Sequence, residues 1–362
     1  MSRFFTSKYD KLVPYKPGEQ PKDKRYVKLN TNESPYPPPK HCSVDARHEA
    51  MDLNLYSDPE CTVLTADLAA YYGLKPEQVL VTNGSDEALD FAFKAFCDQD
   101  HPIVFPNITY GFYPVFAEAN GVPYEEIPLT EEFTINVDDY VGIHKNIVFA
   151  NPNAPTGIAL PLKDVERIVA SNPNNIVIVD EAYVDFGAES AVPLIDVYDN
   201  LLVCQTFSKS RSLAGARVGY IMGNAELIQD LHTLKYSTNP YNVNRMSNIC
   251  AIQALHQVTY FKNNCQAIMT ERQMTIDELD KRGFITFPSS ANFIFTSCYW
   301  IDAEELYRRL RDEKGVLIRH FSRPEYSQYN RITIGTHTQM LKLIRAIDEI
   351  REEVEAEKHA NS

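Results

Sequence analysis

Six short apolar runs, rich in β-branched residues and free of polar alternation, constrain this chain more than any other feature. They are Val79-Leu80-Val81, Ile103-Val104-Phe105, Ile147-Val148-Phe149-Ala150, Ile176-Val177-Ile178-Val179, Leu201-Leu202-Val203 and Val218-Gly219-Tyr220-Ile221. A strand with one wet face alternates apolar and polar residues, whereas a strand covered on both faces need not. Amphipathic helical stretches lie between the runs, the first from Asp86 to Phe96. Strands alternating with helices predict a mainly parallel α/β sheet.

The pattern changes after Asn224. Helical stretches run through Arg282, and the last of them, about Tyr260 to Lys281, is long enough to bridge two domains. Strands are then expected at Phe293 to Thr296, Val316 to Arg319 and Arg331 to Ile334. A final helix, about Thr338 to Glu357, carries Leu341, Ile344, Ile347, Ile350 and Val354 on one stripe. Near the N-terminus, Pro35-Tyr36-Pro37-Pro38-Pro39 reads as an extended linker, because each residue before a proline is pushed out of the helical region. A length of 362 residues exceeds one ordinary core. The expected division is an N-terminal arm and part of a small domain at 1–40, a large domain at 41–270 and a small C-terminal domain at 271–362.

Composition narrows the partners. A formal net charge of -14 disfavours nucleic acid and anionic membranes. No apolar run approaches the roughly 20 residues of a membrane helix, and Met1 to Gln20 lacks the apolar core of a signal peptide. The 7 cysteines are scattered singly, without a CxxC pair, which argues against a zinc cage or a disulfide framework. A cytoplasmic protein with a small-molecule substrate and no metal is the expectation.

Ligands of open α/β sheets sit beyond the carboxyl ends of the strands, so chemistry is sought there. After Val81 comes Thr82-Asn83-Gly84-Ser85-Asp86-Glu87, a helix start that offers N–H groups to a phosphate or is merely capped by Ser85. After Val179 comes Asp180-Glu181-Ala182-Tyr183. An aspartate ending a buried strand needs a partner, either a helix N-terminus or a cation such as a protonated pyridine nitrogen. After Val203 come Thr206-Phe207-Ser208-Lys209-Ser210 and Leu213-Ala214-Gly215-Ala216-Arg217. A lysine placed there suits imine chemistry, although a lone loop lysine is commonly just solvated.

The order and spacing decide between these readings. A phosphate loop, Tyr110, an Asn-rich turn, Asp180 with Tyr183, Lys209 at 29 residues after that aspartate, and Arg217 eight residues further form one series. The series resembles the fold-type I pyridoxal-phosphate-dependent aminotransferases of class I/II, and within them is closest to the histidinol-phosphate aminotransferases. The likeness spans nearly the whole chain. It rests on Lys28-Leu29-Asn30-Thr31-Asn32-Glu33-Ser34-Pro35, Asn83-Gly84-Ser85-Asp86-Glu87, Asn151-Pro152-Asn153-Ala154-Pro155-Thr156-Gly157, Asp180-Glu181-Ala182-Tyr183, Thr206-Phe207-Ser208-Lys209, Leu213-Ala214-Gly215-Ala216-Arg217-Val218-Gly219-Tyr220 and Arg331-Ile332-Thr333-Ile334-Gly335-Thr336.

What the resemblance implies is a seven-stranded, mainly parallel sheet in the large domain, a smaller α+β domain, and bound pyridoxal 5'-phosphate. Lys209 would carry the cofactor and shuttle the proton. Asp180 would pair with the pyridine nitrogen, Tyr183 with the phenolic oxygen, and Tyr110 would stack on the ring. Gly84, Ser85, Asp86 (by its backbone N–H), Thr206, Ser208 and Arg217 would surround the phosphate. Tyr56 would come from the neighbouring subunit of a homodimer. Arg331 would grip the anionic end of the substrate, and Arg319 is either a second grip, on a substrate phosphate, or half of a surface ion pair. Tyr15 and Asn32 match substrate-side positions. One departure stands out: the family often has a second asparagine, bonding the phenolic oxygen, where this chain has Ala154. Asn153 is the expected replacement, with Asn151 or Tyr183 alone as the alternatives. An aromatic aminotransferase, a threonine-phosphate decarboxylase and a non-catalytic pyridoxal-phosphate-binding module are the competing functions. A nicotinamide dehydrogenase is disfavoured because no GxGxxG follows a strand.

Overall fold

The computed structural model describes residues 5–9 and 12–360. Residues 1–4, 10 and 11 of the expected arm, and 361–362, lie outside the described residues. A two-residue strand β1 (Val27–Lys28) leads through the proline stretch to α1 (Lys40–Glu49) and α2 (Thr62–Tyr72). Then follow β2 (Val79–Thr82), α3 (Ser85–Phe96), β3 (Ile103–Pro106), α4 (Tyr113–Asn120), β4 (Tyr124–Ile127), β5 (Asn146–Ala150), α5 (Leu162–Ser171), β6 (Val177–Asp180), β7 (Leu201–Thr206) and β8 (Gly219–Gly223). Seven of these strands form one sheet in the order β2-β8-β7-β6-β5-β3-β4, parallel except for β8.

The expected runs form strands because both sheet faces are covered. Along β6, Val177 and Val179 join a core that holds Leu64 and Leu68 of α2 and Val165 and Ile168 of α5. Ile178, between them, joins the opposite core with Leu89 and Phe93 of α3 and Phe116 of α4. Each such fully buried valine or isoleucine stabilises the fold by about 1.5–3 kcal/mol. The strand of this sheet not foreseen is β4. It lies at the sheet edge and carries Glu125 and Glu126, so only Ile127 is buried and the apolar run is missing.

Past the sheet come α6 (Ala225–Thr238), α7 (Arg245–His256) and the long α8 (Val258–Asp280). The C-terminal elements are β9 (Phe284–Thr286), β10 (Phe293–Cys298), α9 (Ala303–Asp312), β11 (Val316–Leu317), β12 (Arg319–His320), β13 (Asn330–Thr333) and α10 (His337–Ala360). Strands β12-β13-β10-β9 make an antiparallel sheet, while β11 pairs in parallel with β1. The single strand expected at Val316 to Arg319 is therefore two, divided at Ile318, each with its own partner. A separate apolar core joins Leu29, Phe261 and Ile268 of α8, Phe293, Ile332 and Ile347. Both chain ends contribute to it, and it abuts the carboxyl rim of the large sheet through Tyr183 and Ala154. No helix among the described residues is long and apolar enough to cross a membrane.

Candidate active site

The register of the large sheet brings the suspected residues to one rim. Thr82, Gly219 and Thr206 lie side by side across β2, β8 and β7. On the next strand, Asp180 ends β6 opposite Cys204 of β7 and Ala150 of β5. The loops leaving that rim surround a pocket of about 190 Å³ lined by Ser85, Asp86, Tyr110, Ala154, Asp180, Tyr183, Thr206, Ser208, Lys209 and Arg217, among others. It shares Tyr110, Tyr183 and Lys209 with the lining of a neighbouring cleft of about 640 Å³ that also holds Tyr15, Asn32, Arg319 and Arg331.

Asp180 is 4% exposed. Its carboxylate accepts hydrogen bonds from the Tyr113 hydroxyl (3.0 Å) and the Ala182 N–H (3.2 Å), and burial pushes its pKa up to about 6. Two neutral donors do not compensate a buried negative charge, so the site calls for a cation. Tyr183 accepts from Asn32 Nδ2 (2.9 Å), and its ring packs edge-on against Phe293. Lys209 Nζ donates to the Thr31 carbonyl (3.3 Å) and lies 5.7 Å from the centre of the Tyr183 ring. An amine, a buried carboxylate and a phenol therefore converge on one small volume.

Hydroxyl, amide and guanidinium donors gather at one end of it. Thr206 Oγ1 donates to Ser208 Oγ (2.9 Å), and Arg217 reaches both Ser208 (3.5 Å) and Asp86 (3.0 Å). Arg217 is held in the left-handed region at φ 56°, a strain typical of functional positions. Gly84 is glycine for a steric reason. At φ +78° a Cβ there would stand 2.6 Å from Arg217 Nη2. With Ser85 opening α3, this cradle suits a phosphate. Tyr110 donates to Asp86 (2.7 Å) and meets Tyr113 at an 85° ring angle. The residues expected around pyridoxal phosphate thus form a site that fits it: a lysine, an acid without a cation among its hydrogen-bond partners, a phenol and a phosphate cradle.

The cleft carries the two arginines. Arg331 is half-buried, donates to the Asn30 carbonyl (3.0 Å), and keeps its buried Nε without a partner. Arg319 also lines the cleft, but its Nη atoms donate to the carbonyls of Lys16 (3.2 Å) and Pro17 (3.3 Å), not to a carboxylate. Tyr15 stacks on Phe112 at 4.3 Å, and burial raises its pKa.

The expected replacement for the missing asparagine needs revision. Asn153 is not brought to the pocket. Its Nδ2 donates to the Ile108 carbonyl and Thr156, and its Oδ1 accepts from Thr109. Asn151 is likewise spent on both backbone groups of Leu160. Asn32 lines the cleft, but its amide is directed to Tyr183 and Thr333. Tyr56 stands apart from the pocket, 78% exposed and stacked on Tyr241 at 4.4 Å. Sequence reasoning missed Tyr113, which opens α4 three residues after Tyr110, a spacing that could have flagged it.

The sequence profile described as aminotransferase class I and II matches residues 24–347. A histidinol-phosphate aminotransferase of Acinetobacter baumannii (strain AYE) is 46% identical over 349 residues, 95% of this chain and 96% of that protein. One from Pseudomonas putida is 46% identical over 348 residues, 96% of this chain and 100% of its own length. The solved histidinol-phosphate aminotransferase of Sinorhizobium meliloti, in complex with pyridoxal-5'-phosphate, shares the fold with a TM-score of 0.88 at 23% identity, covering 98% of this chain and 99% of that one. The enzyme of Clostridium acetobutylicum gives a TM-score of 0.82 at 25% identity, covering 90% and 99%.

Proposed function

This chain belongs to the class I and II aminotransferases, and from that premise we propose that it transfers the amino group of L-histidinol phosphate to 2-oxoglutarate, giving imidazole acetol phosphate and L-glutamate. The observation that carries this reading is that Lys209 lines both the pocket that holds Asp180 and the neighbouring cleft that holds two arginines, Arg319 and Arg331. The substrate is taken from relatives that are 46% identical over nearly the full chain. A phosphate at one substrate end, and the carboxylates of glutamate, both require guanidinium donors in a chain that is otherwise acidic.

Bound pyridoxal phosphate would supply a conjugated, protonated ring that accepts the electron pair left at the substrate carbon. Lys209 would carry it, Asp180 would hold the proton at its ring nitrogen, and Tyr183 would donate to its phenolic oxygen. Ser85, Asp86 N–H, Thr206, Ser208 and Arg217 would hold its phosphate. Lys209 Nζ would act as general base toward the substrate α-carbon and then as the general acid that gives the proton up on the cofactor side. Asp180, ionised by the positive charge beside it, keeps that charge in place. Arg331 orients the substrate anion.

A homodimer in the cytoplasm belongs to the same reading. Met51, Leu53, Leu55, Tyr56 and Val63 form an exposed apolar stretch that a second copy would cover, placing Tyr56 at the neighbouring site. The test is a comparison of kcat/KM for L-histidinol phosphate, unphosphorylated L-histidinol, phenylalanine and threonine phosphate. A preference of at least tenfold for L-histidinol phosphate is expected. An equal or higher value for phenylalanine, or carbon dioxide release from threonine phosphate, contradicts the assignment.

A further inference from the structure

The absence of an asparagine at position 154 leaves a question about Tyr183. A phenol can donate or accept, and nothing at Ala154 can orient it. The orientation comes from the opposite side. Thr333, ending β13, accepts the Asn32 N–H at 3.0 Å and donates its own proton to Asn32 Oδ1 at 2.9 Å. Asn32 Oδ1 is the acceptor for that threonine proton, which fixes the amide so that Nδ2 faces Tyr183, at 2.9 Å. Tyr183 must then accept from Asn32, and among the described residues its own proton has no protein acceptor. The remaining direction is the pocket that holds Lys209 and Ala154.

We propose that Thr333 and Asn32 form a positioning relay that fixes the Tyr183 hydroxyl as a donor into the cofactor pocket, in place of the asparagine lacking at 154. This rests on the cofactor reading above. Three features of the chain serve the relay. Asn32 sits at φ 57°, a left-handed conformation that asparagine tolerates better than most residues. Its carbonyl is pinned by Asn292 Nδ2 at 3.0 Å, and it is 1% exposed. Thr333 N donates to the Leu29 carbonyl, so the small antiparallel sheet and the N-terminal segment are joined where the relay begins. The device therefore couples the small sheet to the cofactor's phenolic oxygen.

A donor aimed at a phenolate stabilises it most when no neighbouring proton shares its charge. Losing the donor therefore favours the protonated form of the lysine–cofactor linkage. In purified holoenzyme, the visible band is titrated against pH for Thr333→Val, Thr333→Ser, Asn32→Asp, Tyr183→Phe and Tyr183→Phe/Thr333→Val. Asn32→Asp keeps the shape but turns the donor facing Tyr183 into an acceptor. We expect the titration midpoint to rise by about one pH unit for Thr333→Val and Asn32→Asp, as for Tyr183→Phe. Thr333→Ser should restore the native midpoint, and Thr333→Val should add nothing to Tyr183→Phe. An unmoved midpoint in Asn32→Asp, or additive shifts in the double variant, overturns the relay while leaving the cofactor reading intact. A wild-type protein without a visible band after added pyridoxal phosphate overturns the cofactor reading itself.

Discussion

Replacing Asp180 by asparagine in the cofactor-free protein should change stability in a strongly pH-dependent way. Burial raises the Asp180 carboxyl from 3.8 to about 6. The folded chain therefore holds this proton to higher pH than the unfolded chain does. The stability it contributes is complete below pH 3.8 and is lost as pH rises through 6. The full loss is about 3 kcal/mol at about 1.4 kcal/mol per unit, and about 2 kcal/mol of it falls between pH 4.5 and pH 8. Asparagine cannot ionise, so Asp180→Asn escapes that loss. It also gives up one of two accepted hydrogen bonds, from Tyr113 or Ala182, a cost of about 1 kcal/mol that does not vary with pH. Urea unfolding of both proteins at the two pH values separates the effects. The variant should gain about 2 kcal/mol on the wild type between pH 4.5 and pH 8. A difference that stays flat would refute the claim that Asp180 is a buried acid awaiting a cation.

Lys209→Ala should keep its far-ultraviolet circular dichroism, since the amine makes one bond to the Thr31 carbonyl, yet lose on the order of 1,000-fold or more in transamination rate. Near-normal turnover would sink the assignment. Arg331→Lys should raise KM for glutamate by roughly 10-fold or more with a smaller loss in kcat, because lysine lacks the fork whose Nε is left free. Gly84→Ala sets a Cβ 2.6 Å from Arg217 Nη2. Calorimetric titration of the variant should show pyridoxal phosphate binding weakened about tenfold, from about 1–2 kcal/mol of strain at the left-handed position.

The parts of the fold readable from sequence are those whose signal is local. Buried parallel strands such as β6 advertise themselves by composition, and the residues at their carboxyl ends follow from that. The edge strand β4 does not, because Glu125 and Glu126 are tolerated where one side faces water. Strand β1 is two residues long and exists only through its pairing with β11, some 290 residues away in sequence. The site divides the same way. Lys209, Asp180 and the phosphate cradle were legible as ordered motifs. The fate of Asn153 was not, since its partners Ile108, Thr109 and Thr156 come together only in the folded chain. For the same reason Thr333 gave no hint of its hydrogen bond to Asn32, whereas the spacing from Tyr110 offered a signal for Tyr113.

The most direct test of the central claim is the visible spectrum of the purified protein, loaded with pyridoxal phosphate, before and after addition of L-histidinol phosphate. A yellow band should give way to the pyridoxamine form of the cofactor and return when 2-oxoglutarate is added. A band that L-histidinol phosphate leaves unmoved would contradict the substrate, and the absence of any band would contradict the cofactor site built around Lys209.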